Sequence, residues 1–150
     1  GALDSVDFTT FLAELCDELA RSLLPPGRAC RVEADPLVLG PDRAVSLALI
    51  VNELVTNAIK HGTGDVAVRL ERGEPDCRLT VRNGGRPEPE PGGHQPSGFG
   101  MQMVAATVSR LDGRLERSVD ADGTTFTVEF PPDLPQPPDL RLVAGRAESA

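Results

Sequence analysis

Apolar residues recur along this chain at two periods, and the switches between them mark out its elements. Phe8, Phe11, Leu12, Leu15, Leu19 and Leu23 fall at three- and four-residue steps, the period of one helix face. Asp7 stands in front of them as an N-cap for the first orphan amides, and Pro25-Pro26-Gly27 stops the helix. Residues 29–34 alternate loosely and predict a strand, and 36–39 predict a short second one. Pro41 and Asp42 open a second helix that runs to about Lys60 and is stopped by Gly62. It is apolar round most of its circumference, through Ala44, Val45, Leu47, Ala48, Leu49, Ile50, Val51, Leu54, Val55, Ala58 and Ile59. A helix with that pattern is expected in the middle of a domain.

Alternation returns at 66–70 and again at 77–82, an expected hairpin across the turn at 73–76. Residues 83–95 are rich in Gly, Pro and Glu, hold no core-forming residue, and predict a long, lid-like connection. Residues 98–111 return to the helical period, and 113–119 with 124–130 predict a second hairpin. From Pro131 the run PPDLPQPPDL predicts a disordered tail over 132–150, which leaves 1–131 as one domain. Strands that follow one another as hairpins are expected to pair antiparallel. The expected fold class is therefore α+β, a two-layer sandwich with a mostly antiparallel mixed sheet and the helices on one face.

Composition narrows the partners. The chain has 150 residues and a net charge of −8, lacks Trp and Tyr, and holds 5 Phe. Acidic charge and a shortage of stacking side chains exclude nucleic acid as the expected partner. The longest nearly apolar run, 44–51, is far too short to span a bilayer, so no membrane contact is expected from this segment. Cys16, Cys30 and Cys77 fall into no paired spacing, and with His61 and His94 as the only histidines no zinc pattern exists. The cysteines read as small buried hydrophobes of a reducing, cytoplasmic setting.

Four clusters look like chemistry. The greasy helix carries Asn52, Glu53, Asn57, Lys60 and His61, and the steps of four and three between Glu53, Asn57 and Lys60 align them as one polar stripe. A carboxylate and an amide buried there are costly unless something pairs with them. A solvated face with one core hydrogen bond is the plainer alternative. Ser97-Gly98-Phe99-Gly100-Met101 enters a helix through two glycines, which leaves its first amides approachable by an anion. A tight loop-to-helix entry explains those glycines equally well. Val81-Arg82-Asn83-Gly84-Gly85 and Gly123-Thr124-Thr125-Phe126 are compatible with simple turn chemistry.

In this order and spacing, NELVTNAIKH, VRNGG, SGFGMQMV and DGTTFTVEF resemble the ATP-binding catalytic domain of bacterial sensor histidine kinases. These domains have the Bergerat fold of Hsp90, gyrase B and MutL. The resemblance covers about residues 5–131 and is nearest to the HWE-related kinases, without that family's own tryptophan. It implies Mg²⁺-ATP as cofactor, with Asn57 as the metal ligand and Glu53 as the catalytic acidic residue, assisted by Asn52. Lys60 and His61 match basic positions near the phosphates, Lys60 with a catalytic part. Ser97, Gly98, Phe99, Gly100 and Met101 match the glycine box that holds the phosphates, while Asn83, Gly85 and Thr124 match positions around the adenine. Asn83 departs from the family's aspartate, and its carbonyl accepts a hydrogen bond without charge assistance, a loss of about 1–2 kcal/mol.

The resemblance further implies transfer of the γ-phosphoryl group to a histidine outside this segment. The partners would be a histidine-bearing dimerisation domain of the same protein and the receiver domain of a response regulator. Two alternatives share the fold. One is a degenerate domain that no longer uses ATP and serves docking, phosphatase or phosphotransfer work. The other is an anti-sigma-type serine kinase.

Overall fold

The computed structural model of the chain describes residues 4–85 and 98–138. A two-residue strand, β1 (Val6–Asp7), leads straight into α1 (Phe8–Leu23). The Asp7 carboxylate accepts the Thr10 backbone N–H at 3.3 Å and its hydroxyl at 2.8 Å, the expected cap. β2 (Cys30–Ala34) and β3 (Val38–Leu39) precede the central helix α2 (Pro41–His61). β4 (Val66–Glu71) and β5 (Cys77–Gly84) form a hairpin; then come α3 (Gly98–Arg110) and a second hairpin of β6 (Arg114–Asp120) and β7 (Gly123–Phe130).

Five strands make one sheet in the order β2-β4-β5-β7-β6. Its neighbours are antiparallel except β2, which lies parallel to β4 with Cys30 opposite Val66 and Ala34 opposite Leu70. The mixed, mostly antiparallel sheet is as expected, but β2 does not share the antiparallel pairing expected of neighbouring strands. The reason is the connection: β3 and α2 intervene, long enough for a crossover that brings the chain back in the same direction. β3 leaves the sheet and pairs antiparallel with β1, Val6 opposite Leu39 and Asp7 opposite Val38.

Strict alternation sorts the two faces of the sheet. Val66, Val68 and Leu70 of β4, Cys77, Leu79 and Val81 of β5, and Phe126, Val128 and Phe130 of β7 are buried in a single core. The intervening residues, among them Arg69, Arg78 and Thr127, lie on the more exposed face. There Arg82 bridges Asp120 and Thr125 and ties three strands together. That hydrogen-bonded guanidinium holds the exposed Asp120 carboxyl below the usual carboxylate range, and the Asp122 N–H adds to the effect.

α2 packs against α1, α3, β4 and β5, the central place that its apolar circumference predicts. Leu47, Ile50, Val51, Leu54 and Val55 are fully buried, each contributing on the order of 1.5–3 kcal/mol. One flank of its N-terminal half departs from that pattern. Val45 is 61% exposed and, with Leu49, Phe11 and Leu15, lines an open apolar groove of about 430 Å³.

The segment after β7 returns to the start of α2. Asp133 Oδ1 accepts the Gly40 N–H at 3.0 Å, and Gln136 is bonded to both backbone groups of Val38, at 2.9 and 2.8 Å. The tail expected to be disordered from 132 is thus tied down at these two residues; residues 139–150 lie outside the described residues. Alternating Pro and polar residues carry no sign of these bonds, because their partners stand about 95 positions earlier in the chain.

Candidate functional site

At one end of the sheet the inward face turns from apolar to polar. Val66, Asn83 and Thr124 form a row across β4, β5 and β7, and Asn83 and Thr124 are each 8% exposed. The end of α2 comes down onto this floor. A Cβ on Gly62 would lie 2.6 Å from Asn83 Nδ2 and 2.7 Å from the Ala58 carbonyl, so only glycine fits between helix and strand. Gly85 has φ +91°, in the left-handed region, and packs on Thr63 and Gly64.

The stripe on α2 stands beside this floor. Glu53 and Asn57 are half-buried, whereas Lys60 and His61 are exposed on the last turn, where cations complement the helix dipole. The first turn of α3 lies over the stripe. Gly100 sits against the Glu53 carboxylate, in space that a Cβ would fill, and Asn57 Nδ2 donates to Met101 Sδ at 3.3 Å. A thioether is a weak acceptor, so an oxygen replaces it at little cost. The first turn of α3 carries no acidic side chain, which leaves its positive end uncompensated by its own residues.

Glu53, Asn57, Gly100 and Met101 are therefore brought together, as are Asn83, Thr124 and Gly85 at the floor, with α2 joining the two groups. Asn52 is not among them. One residue further round the helix it is exposed on the opposite flank, lining the apolar groove with Phe11 and Leu49. Phe99 is 85% exposed and Gly98 is the first residue of α3. Ser97, His94 and the lid-like stretch beyond residue 85 lie outside the described residues.

One residue that organises this end carries no motif. Arg28 Nε donates to the Gly64 carbonyl at 2.7 Å, Nη1 to Ile59 at 2.9 Å and Nη2 to Ala58 at 3.4 Å. It places a cation on the last carbonyls of α2, of which Ala58 also accepts the Gly62 N–H, and clamps the turn that follows. Asp65 completes the clasp by accepting the Ala29 N–H at 2.8 Å. The only sequence sign is a cation just after Pro-Pro-Gly, and no spacing links it to a helix more than a dozen residues away.

Residues 42–134 match the family described as histidine kinase-, DNA gyrase B- and HSP90-like ATPase. The chain is 33% identical over 142 residues to the sensor histidine kinase PdtaS of Mycobacterium tuberculosis, covering 85% of this chain and 28% of that protein. It is 28% identical over 131 residues to blue-light-activated histidine kinase 1 of Erythrobacter litoralis, covering 80% of this chain and 36% of that one. The chain thus spans about a third of the length of the curated relatives it matches. The histidine kinase domain from the Erythrobacter litoralis EL346 blue-light activated histidine kinase has the same fold, with a TM-score of 0.76 at 22% identity over 84% of this chain and 61% of that one. Among the described residues no helix is long and apolar enough to cross a membrane. The matched stretch takes in all of α2 but its first residue, the three strands of the floor and α3 at once, and the chain belongs to the histidine kinase-, DNA gyrase B- and HSP90-like ATPase family.

Proposed function

We propose that these residues form the catalytic domain of a cytoplasmic sensor histidine kinase, which binds Mg²⁺-ATP and passes its γ-phosphoryl group to a histidine on a separate dimerisation domain. From there the group would go on to the receiver domain of a response regulator. The observation that carries this reading is the seating of the α3 N-terminus on Glu53 and Asn57, beside the Asn83–Thr124 floor.

The residues present fit such a ligand. Asn57 brings a neutral carboxamide oxygen, a hard donor suited to Mg²⁺, while the Nδ2 of the same amide donates to the Met101 sulfur. Gly100 keeps the helix backbone bare where a side chain would crowd Glu53. When bound, Mg²⁺-ATP supplies the phosphoryl group and neutralises much of its charge.

The chain's own contribution is then positioning. The first amides of α3, Gly98 to Met101, would face the phosphates, with the charge of Lys60 and a ring N–H of His61 set against them in a chain of net charge −8. Glu53 holds the attacking imidazole in line and takes its proton. Asn83 accepts from the adenine amino group with Thr124 beside it, and the Gly85 turn keeps that end of the cleft open. Ser97 belongs to the phosphate loop in this reading. Asn52, on the far flank of α2, acts on Glu53 only through the helix.

Calorimetric titration with ADP and a non-hydrolysable ATP analogue, with and without Mg²⁺, tests the reading beside an Asn57→Ala variant. Magnesium-dependent binding that the variant loses, while its melting temperature is kept, is the expected result. Absence of both heat and thermal stabilisation at millimolar nucleotide would overturn it in favour of a degenerate docking domain.

A further inference from the structure

α1 and β2 pack directly on one another, and each presents a cysteine to the other. On α1 the inward positions Phe8, Leu12 and Cys16 repeat every four residues, and Cys16 is 1% exposed. On β2 the inward positions are Cys30, Val32 and Ala34, partly buried against the same core. β2 is an edge strand, so Cys30 keeps some access to solvent. Cys16 and Cys30 stand beside each other, close enough for each to be the leading influence on the other's thiol, whereas Cys77 lies apart on β5. Three unbridged cysteines with no paired spacing in sequence thus resolve into one facing pair and one solitary thiol.

Their proximity divides their roles. Cys16 lowers the pKa of Cys30, and Cys30 together with burial raises that of Cys16. The first proton leaves from the accessible sulfur and the second is held in the core.

We propose that Cys16 and Cys30 are an oxidisable dithiol, a modification site at which a peroxide closes a cross-link between α1 and β2. The Cys30 thiolate attacks one peroxide oxygen, the O–O bond breaks, and the departing hydroxide takes a proton to become water, leaving a sulfenic acid on Cys30. The Cys16 sulfur then attacks the Cys30 sulfur. The S–S bond forms, the S–O bond breaks, and the oxygen leaves as water with the Cys16 proton. Two thiols lose two electrons in all, and one peroxide is reduced to two waters.

The test treats the reduced full chain with hydrogen peroxide, alkylates the remaining thiols and maps the peptides by mass spectrometry. Alkylatable thiols are expected to fall from three to one, with a peptide joining Cys16 to Cys30 that a reductant releases. Cys77→Ser should cross-link as the parent does. Cys16→Ala should stop at a Cys30 sulfenic acid that dimedone traps, and Cys30→Ser should leave Cys16 unoxidised. The last variant sits at a partly exposed edge position and guards against a failure of the buried substitution to fold. Three alkylatable thiols after peroxide, or a cross-link through Cys77, would overturn the proposal.

Discussion

Among the described residues, the atoms nearest to a methyl group placed on Gly100 all belong to the far end of the Glu53 side chain. Two effects oppose each other there. Alanine is favoured over glycine inside a helix by about 1 kcal/mol, while the carboxylate must swing away to make room. Gly100→Ala is therefore expected to hold or raise the melting temperature. If Glu53 acts as proposed, the same change should slow phosphoryl transfer to an added histidine-bearing domain by roughly tenfold or more, because the carboxylate is moved out of line. A variant that melts lower and transfers at the parental rate would contradict the placement of Glu53 at the reacting group. Glu53 and Asn57 were legible in sequence because a polar stripe is conspicuous on a helix that is otherwise apolar. Asn52 looked equally eligible as their neighbour, yet one step along a helix turns a side chain through about 100° and sends it to the other flank.

Among the elements, α2 owes its fixed C-terminal end to a residue from outside it. Arg28→Ala removes the guanidinium from the carbonyls of Ile59 and Gly64. Hydrogen bonds to a charged group are worth about 1.5–3 kcal/mol where buried. With Arg28 only part-buried, a loss of about 2 kcal/mol in urea unfolding is expected. Arg28→Lys should not restore it, because a point charge cannot span three carbonyls as a planar fork does. The periodicities of α1, α2 and the two hairpins announced those elements, since each supplies its own repeat. β1 and β3 did not announce themselves as a pair, because two residues are too few to show a period and each exists only by pairing with the other. The direction of β2 was equally hidden: alternation sorts its faces, and nothing in it distinguishes parallel from antiparallel neighbours.

On the scale of the whole molecule, segments nearly a hundred positions apart are drawn together. The bonds of Asp133 and Gln136 fasten the segment after β7 to β3 and to Gly40, the residue just before α2. A chain ending at Phe130 should be about 1–3 kcal/mol less stable than one ending at Pro138 in the same urea titration, for want of these bonds. Equal midpoints for both truncations would show that the fastening contributes nothing.

The row Val66–Asn83–Thr124 also sets a condition on assembly. Its last member lies on β7, some 40 positions after Asn83, with α3 and β6 in between. A chain emerging from the ribosome therefore possesses the polar stripe of α2 long before it possesses the surface beneath it. Closing that separation carries the entropic cost of a long loop before any contact returns it. Ligand competence and completion of this sheet thus coincide: the last of its five strands to be synthesised is also the wall against which a ligand would rest.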